Sequence, residues 1–537
     1  MQLSKVLEKY LIISCLLSGM IFFFMPQLKY YSVHTGVADL GFFLAGIYKV
    51  NDQWAHIFYG HVQPYMYLYG FLFQLFPETY VPFILLGLQS VFLLIATVLI
   101  WKNYGKFAGI SMMLYTPLWA NNLFDFHFDH LAVLILAVFF ISCKKRKYSI
   151  SILIIFLLCF VKEVFALQAM MCGIYLIIDI LKQNDLENRK NKILATLFIT
   201  GFSFVWLIIS VKFLLPFFSD SGQTVIESGA FSWLGNGLLE IFINLLFKPH
   251  QVYFELISDP KKIYYIVILF GSFLFISFLS PQPLIVALPI LVISLLSRSP
   301  NYYDYAAHYS AGLIIPIIVS FSESLPKLKK WIYIISKKFI FFKTITFSNI
   351  SAISNFIIIS WVILFQIAVG LSPISRLFWS DKIWSINYQA YIPSERDAVI
   401  RNSITKYIPL DSSIIVSSQN NLNYSPLFLR QDYLIFPGGV TEPHIRTNWD
   451  EKTFNNFMNY LRGEAPVNYE PDLIYAEYVL IDFNRPFYLF DKGCDSTYLI
   501  CRDKDIEKKY LNAIGILENK YILLFEYNGF RIFKKQV

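Results

Sequence analysis

Long runs of apolar residues, separated by short polar stretches, fill the first two thirds of the chain. A helix needs about 20 apolar residues to cross a hydrocarbon core about 30 Å thick. We predict about eleven transmembrane helices, near residues 10–25, 81–101, 107–119, 130–143, 148–161, 164–180, 193–215, 264–280, 283–297, 307–323 and 350–372. The pattern therefore predicts a polytopic α-helical membrane protein.

Beyond residue 375 the pattern changes to short β-prone runs bounded by polar, Pro or Gly residues, which is typical of a soluble α/β domain. We predict four strands there, at residues 413–418, 433–436, 478–483 and 521–525, and one helix at 451–461. The two predicted domains are a membrane domain, 1–375, and a C-terminal α/β domain, 376–537. The second domain contains no Gly-rich phosphate loop, so we interpret it as a recognition or shielding domain.

The composition supports a membrane protein. Hydrophobic residues make up 56%, charged residues 15%, and mean hydropathy is +0.52, whereas a soluble domain has about 25% charged residues. The net charge of +8 belongs to the membrane domain, which holds 26 Lys and Arg against 17 Asp and Glu, compared with 19 against 20 in the C-terminal domain. These basic residues stand in short loops between apolar runs, where they set orientation, so a nucleic-acid partner is not expected.

The basic loops alternate along the membrane domain. With the N-terminus in the cytoplasm, 18 of its 26 basic residues fall on the cytoplasmic side, as the positive-inside rule requires. The first apolar run is then a retained signal anchor. A long first outer loop, 26–80, and the C-terminal domain fall outside. We therefore predict a multi-pass membrane protein with an extracytoplasmic C-terminal domain.

The cysteines divide by position. Cys494 and Cys501 lie in the C-terminal domain, where an oxidising exterior would allow them to form a disulfide. The others are interpreted as small apolar residues in or beside predicted helices, namely Cys15, Cys143, Cys159 and Cys172.

The first outer loop carries the leading candidate for catalysis. Asp39 stands in the run 38–48, whose pattern predicts an amphipathic helix at the membrane surface, with its carboxylate facing the lipid headgroups. An Asp there is also a common helix N-cap, and both interpretations stay open. His61 follows in the same loop. An ionisable side chain beside a membrane helix is a functional candidate, because insertion at the helix centre costs on the order of 2.5 to 3.5 kcal/mol.

A second candidate segment contains two carboxylates and two imidazoles within six residues, ending at His130. Aromatic residues alternate with Asp125, His127 and Asp129, so an extended segment would place these three on one side. They could bind a divalent cation, or a phosphate through one. Hydrogen-bonded loop braces are the alternative, and no spacing here is diagnostic of zinc. A divalent cation is thus a candidate cofactor that the sequence does not require.

Two further pairs of polar residues interrupt apolar runs. Lys162 and Glu163 separate two predicted helices, and they either neutralise each other or leave Lys162 to bind a phosphate. His308 and Tyr309 open a late predicted helix. That imidazole either belongs to the same outer face or bonds to a neighbouring helix.

Taken in order, these landmarks resemble a bacterial family of predicted membrane proteins, the domain of unknown function 2079 family, which is grouped with GT-C type glycosyltransferases. The resemblance rests on Ala38-Asp39-Leu40-Gly41, His61 with Pro64, Phe124-Asp125-Phe126-His127, Val161-Lys162-Glu163 and His308-Tyr309, and further on Gln419-Asn420-Asn421, Arg430, Phe436-Pro437 and Glu477-Tyr478-Val479-Leu480. The sequence departs from the family where Ala38 replaces a Tyr, Phe128-Asp129 replace Pro-Glu, and Val164 replaces an acidic residue. These departures put a role for the second acid in doubt.

The resemblance implies a GT-C-like transferase that moves a sugar from a polyprenyl-phosphate donor to an extracytoplasmic glycan, lipid or protein acceptor. It implies an inverting displacement with Asp39 as the base. It also implies that the membrane is the bacterial plasma membrane. The implied ligands of the donor phosphate are Lys162, His127 and His308. The implied supporting residues are His61, Asp125, Glu163 and Tyr309. A transporter or flippase of lipid-linked glycans, and a non-catalytic membrane scaffold, are the alternatives.

Overall fold

The architecture is known from a computed structural model. It describes residues 2–58, 60–183, 188–218, 230–235, 237–338, 344, 346–380, 387–417, 424–429, 432–445, 456, 459, 464, 473–484 and 504–536. The helices there are α1 Gln2–Tyr31, α2 Phe42–Lys49, α3 Met66–Leu75, α4 Val81–Tyr104, α5 Lys106–Met113, α6 Thr116–Leu123, α7 Asp129–Lys144, α8 Tyr148–Leu158, α9 Glu163–Leu181, α10 Arg189–Ile209, α11 Leu215–Phe218, α12 Leu238–Phe247, α13 Pro249–Ser258, α14 Pro260–Ile266, α15 Leu284–Leu296, α16 Ala311–Ser336, α17 Phe347–Val369, α18 Glu395–Tyr407, α19 Ser425–Phe428 and α20 Lys504–Lys520. The strands there are β1 Ile414–Ser417, β2 Asp432–Ile435, β3 His444–Ile445, β4 Leu473–Ile474, β5 Tyr478–Asp482, β6 Tyr521–Tyr527 and β7 Phe530–Lys535.

The protein is embedded in a membrane, because several of its helices are long and apolar. Within the described residues, five helical stretches meet the length and composition for crossing a bilayer: Glu78–Tyr104, Glu163–Leu181, Arg189–Phe218, His308–Ser336 and Phe347–Val369. Each of the eleven predicted segments overlaps helix, but eleven spans are not confirmed. The helices α7, α8 and α15 have only 16, 11 and 13 residues. At 1.5 Å per residue, a helix of that size is shorter than a hydrocarbon core of about 30 Å.

Two predicted spans are interrupted in the structure. Segment 107–119 is split between α5 and α6, and Pro117 stands at the start of α6, where a missing backbone N–H is tolerated. Segment 264–280 begins as α14 and then breaks, because Leu274 and Phe275 adopt positive φ angles of 52° and 58°. An apolar run in the sequence does not reveal such breaks, and neither segment forms one helix long enough to cross a bilayer.

The break after α14 keeps its backbone hydrogen-bonded. The Ser320 hydroxyl of α16 lies 2.6 Å from the carbonyl oxygens of both Ser277 and Ser280. The Ser324 hydroxyl approaches the Ser277 carbonyl as well, at 3.4 Å. Non-helical backbone in a membrane protein persists only where protein groups satisfy it, as these serines do.

The predicted first outer loop, 26–80, folds into the protein. It contains α2 and α3, so the predicted helix near residues 38–48 is confirmed. Its predicted placement against lipid is wrong, since Phe43, Leu44 and Ile47 of α2 are buried. The Phe43 ring packs edge-on against Phe126 and Phe128. The loop is therefore fixed against the segment between α6 and α7.

Five strands near the C-terminus form one mixed sheet in the order β2-β1-β5-β7-β6. Strand β1 is parallel to β2 and β5, whereas β7 is antiparallel to β5 and β6. All five residues of β5 are buried, because α18 covers one face of the sheet and α20 the other. The predicted strands correspond to β1, β2, β5 and β6. The predicted helix at 451–461 and the cysteine pair 494 and 501 lie essentially outside the described residues.

The C-terminal sheet and its helices rest on the end of α1. The Tyr30 hydroxyl lies 3.1 Å from the Ser425 hydroxyl, and the Arg401 guanidinium stands 4.0 Å from the centre of the Tyr31 ring. Val33 continues this contact, since it packs in the same apolar cluster as α18. These contacts place the sheet over the bundle end where α1 finishes and where α7, α9 and α16 begin.

Candidate functional site

Asp39 lies in a π-helical turn, Val37–Gly41, which leads into α2. The N-cap of α2 is Gly41, so the N-cap interpretation of Asp39 is wrong. Its Oδ1 lies 3.4 Å from Nε2 of His127. The Asp39 side chain is 26% exposed, while that of His127 is 9% exposed. The turn thus presents a carboxylate that is held from behind by a buried imidazole and is open in front.

A second Asp–His pair stacks on the first. The His308 ring lies parallel to the His127 ring, with 3.5 Å between centroids and 17° between planes. Nε2 of His308 is 3.2 Å from Oδ2 of Asp129, at the start of α7. The alternative for His308, a bond to a neighbouring helix, is therefore also realised, and it contributes to the same cluster.

The two imidazoles are oriented alike. Each directs Nε2 at a carboxylate oxygen, at 3.4 Å for His127 and 3.2 Å for His308, and a ring with its hydrogen on Nε2 leaves Nδ1 as an acceptor. Both Nδ1 atoms are buried, and neither has a hydrogen-bond partner among the described residues.

Asp125 braces the chain just before Asp39. Its Oδ1 forms an ion pair with Lys29 of α1 at 3.2 Å, and its Oδ2 accepts the Gly36 N–H at 2.6 Å. Lys29 also donates to the carbonyls of Leu123 and Phe124, at 3.0 and 2.7 Å. Burial raises the pKa of Asp125 to about 6, and the positive charge of Lys29 limits this increase. These bonds fix the turn that carries Asp39.

Gln89 of α4 fixes the segment before α7. Its Nε2 lies 3.0 to 3.2 Å from the carbonyl oxygens of Asn121, Asn122 and Asp125. Its Oε1 accepts the backbone N–H of His127 at 3.1 Å. A buried amide with both ends satisfied gives the segment one conformation. The position of His127 therefore depends on a residue in the middle of an apolar helix.

Glu163 ties the first outer loop to α9. Its Oε1 pairs with Nδ1 of His61 at 2.8 Å, and its Oε2 accepts the Val62 N–H at 3.0 Å. The interpretation that Glu163 simply neutralises Lys162 is therefore incomplete, because both carboxylate oxygens face the loop. The result is a second brace for the loop that contains Asp39.

Lys162 is buried, and within the described residues its ammonium has no hydrogen-bond or ion-pair partner. The nearest ring is that of Tyr309, whose centre is 5.9 Å from Nζ. Burial disfavours the charged form, but the negative charges of Asp129 and Glu163 outweigh it and raise the pKa of Lys162. A cation held charged in this way is available to an anionic ligand.

Two tyrosines close this side of the cluster. The Tyr309 ring lies 4.2 Å from the His308 ring and 4.7 Å from that of Tyr302, centroid to centroid. Burial raises the pKa of Tyr302 to about 12, so its phenol is neutral and can donate a hydrogen bond. Tyr302 was not among the predicted site residues.

With this geometry established, comparison with known proteins identifies a family. The model of the family described as Predicted membrane protein (DUF2079) matches residues 27–453. The chain belongs to this family. The matched range contains the turn of Asp39, both Asp–His pairs, Lys162 and Glu163. A search of curated proteins found no match.

The geometry of this DUF2079 member gives the divalent-cation hypothesis no support. The three candidate ligands face three different partners: Asp125 faces Lys29, His127 faces Asp39, and Asp129 faces His308. Within the part of the chain that the structure describes, no three His, Cys, Asp or Glu side chains are grouped to hold a metal ion. The remaining imidazole, His130, is a core residue whose Nε2 lies 3.2 Å from the Tyr69 hydroxyl.

The site of this DUF2079 member joins the residues that the sequence had singled out. Contacts run from Asp39 through the histidine stack to Tyr309 and Lys162, while Glu163 holds His61 and Asp125 lies close enough to Asp39 for their charges to interact. Sequence reasoning missed Lys29, Gln89 and Tyr302. A polar residue inside an apolar run is the signal that would have found Gln89.

Proposed function

We propose that this protein is a glycosyltransferase of the GT-C type, which moves a sugar from a polyprenyl-phosphate donor to an acceptor on the outer side of the membrane. The observation that carries the proposal is the partly exposed Asp39 carboxylate, which His127 backs in a cluster of mostly buried ionisable groups. A carboxylate so placed can accept a proton from a hydroxyl that approaches from its open side.

The reaction is a single displacement. Asp39 takes the proton of the acceptor hydroxyl while that oxygen forms a bond to the anomeric carbon of the donor sugar. The bond from this carbon to the phosphate oxygen breaks, and its electron pair stays with the phosphate. Attack from the face opposite the phosphate inverts the configuration. His127 backs the carboxylate, since its Nε2 lies 3.4 Å from Oδ1 of Asp39.

The leaving phosphate needs a positive charge more than it needs a proton. Lys162 supports this step because its buried ammonium has no hydrogen-bond or ion-pair partner among the described residues and lies 5.9 Å from the centre of the Tyr309 ring. Fixed charges in a water-poor site stabilise such a leaving group by about 3 to 4 kcal/mol. The Tyr302 phenol stands on the same side and can add a hydrogen-bond donor.

The braces supply preorganisation. Asp125 with Lys29 holds one end of the Asp39 turn, and Glu163 holds His61 further along the same loop. A base that is already in place avoids the entropic cost of being positioned during the reaction. The C-terminal sheet rests on the end of α1 beside this turn, where an acceptor would approach.

The test is transfer by the purified protein in proteoliposomes supplied with labelled polyprenyl-phosphate sugars and extracted envelope acceptor. Asp39→Asn removes the base with little change in shape, and we expect it to lower the rate by about 10² to 10⁴-fold. Asp52→Asn is the matched control, because Asp52 is exposed in the same loop, and it should keep the wild-type rate. Wild-type rates in Asp39→Asn, or movement of the donor across the bilayer without a new glycosidic bond, would contradict the proposal.

A further inference from the structure

Two short helices in the middle of the chain, α12 and α13, expose large apolar side chains. Ile243, Leu246 and Phe247 follow the i, i+3, i+4 spacing that places residues on one face of α12, and Phe247 is 77% exposed. Tyr253 and Phe254 are exposed on α13, at 59% and 63%. Among the described residues nothing covers this face.

The opposite face of the two helices is fixed to the bundle. Ile241 and Leu245 of α12 and Val252 of α13 pack in one apolar cluster with Leu296, at the end of α15. Glu255 of α13 lies 3.1 Å from the guanidinium of Arg298, which follows the same helix end. The exposed face is therefore held in a fixed orientation.

The length of α12 and α13 and the exposed apolar residues of the neighbouring helices indicate what covers this face. Each helix has 10 residues, which is about 15 Å, or half of a hydrocarbon core about 30 Å thick, so neither helix spans a bilayer. The neighbouring helices α14 and α15 also expose apolar residues, such as Ile263 and Val292. The apolar face of α12 and α13 thus adjoins the outer surface of apolar bundle helices, which is where lipid lies.

We propose that α12 and α13 lie along the bilayer surface, with Phe247 and Phe254 inserted among the lipid chains. Lys248, which separates the two helices, then lies at the level of the lipid phosphates, where a basic side chain is favoured. Short helices with one apolar face occupy this position in other membrane-bound proteins. The inference does not depend on glycosyl transfer.

The placement sets the depth of the site. A short 3-10 turn, Pro300–Tyr303, follows Arg298. The hydroxyl of its last residue, Tyr303, donates a hydrogen bond to Asp259, between α13 and α14, at 2.7 Å. Tyr302 of this turn stacks on Tyr309 beside the histidines. The anchored helices therefore hold one wall of the site at the level of the lipid headgroups.

Photocrosslinking in proteoliposomes tests the placement. A photoreactive phenylalanine analogue replaces Phe247 or Phe254 in the full chain. Phe204, which is 50% exposed in the candidate span containing α10, is the lipid-facing control. Tyr527, exposed at the edge strand of the C-terminal sheet, is the control for a position away from lipid. Adducts are identified by mass spectrometry.

We expect lipid adducts at positions 247 and 254 with a yield comparable to that at position 204, and none above background at position 527. Lipid adducts at 204 together with none at 247 and 254 would overturn the proposal. Adducts to a second copy of the chain at 247 and 254 would overturn it as well, because they would mean that protein covers this face. Unchanged elution in detergent shows that each variant is folded.

Discussion

Removing Lys29 should destabilise the protein mainly by leaving Asp125 alone. Lys29→Met keeps the length of the side chain but deletes the ammonium that lies 3.2 Å from Asp125 Oδ1. Both side chains are only 4% exposed, so water does not replace the lost partner. Breaking a buried pair by removing one member costs about 3 to 5 kcal/mol. We expect a loss of this size in the free energy of unfolding at pH 8.

The loss should depend on pH in a defined direction. Burial raises the pKa of Asp125 to about 6, against about 3.9 in an unfolded chain. The folded protein therefore binds this proton more tightly, and stability falls as pH rises from about 4 to about 6. Without Lys29 the pKa rises further and the fall continues above pH 6. The gap between wild type and Lys29→Met should then grow by up to about 1.4 kcal/mol per pH unit.

The assay is unfolding in detergent for Lys29→Met, Asp125→Asn and the double variant, followed by intrinsic fluorescence between pH 6 and pH 8. Adding Asp125→Asn to Lys29→Met should restore about 1 to 3 kcal/mol at pH 8, because it removes the unpaired charge. It should also abolish the pH dependence of the loss. If Asp125→Asn destabilises both backgrounds equally, the two groups do not interact and the brace is not what holds the turn.

Three other substitutions give sharp expectations. Gly173→Ala should lower the free energy of unfolding by about 1 to 3 kcal/mol, because the added methyl group would overlap Thr200 of the neighbouring helix. Gly201→Ala is the control. Its added methyl group would meet nothing within 4 Å, so this variant should be neutral or slightly stabilised. Gln89→Leu should cost about 2 to 3 kcal/mol in thermal unfolding, since it leaves buried backbone groups without partners; no loss would mean that those groups find other partners. Glu163→Gln weakens the hydrogen bond from the Val62 N–H. If this costs about 1.4 kcal/mol in local stability, amide exchange in the loop 26–80 should become about tenfold faster. Unchanged exchange would contradict the role of Glu163 as a brace.

Sequence reasoning located the helices well but not their ends. Apolar runs mark helices because burial in lipid or protein requires them. The run 107–119 nevertheless breaks between Met113 and Thr116, and the run 264–280 breaks where Leu274 and Phe275 turn, so neither forms one long helix. The alternation of β-prone residues located four strands of the C-terminal sheet, whereas β7 was missed. Its polar positions, such as Arg531 and Lys534, conceal the strand pattern.

The site could be predicted as a set of residues but not as a set of contacts. Asp39 and His127 stand out because each is ionisable in an apolar setting. The partnership of Asp129 with His308 joins distant segments and depends on how α7 and α16 pack, which spacing along the chain does not encode. Lys29 looks in the sequence like one more loop cation, and only the fold shows that its charge is internal.

The most direct test of the proposed chemistry is single-turnover transfer by Asp39→Asn, His127→Gln and the double variant, each checked for unchanged thermal unfolding. Because His127 is proposed to act through Asp39, the double variant should be no slower than Asp39→Asn alone, as expected for residues that work as a unit. Losses that multiply in the double variant would show that the two side chains act independently and would contradict the proposed Asp–His base.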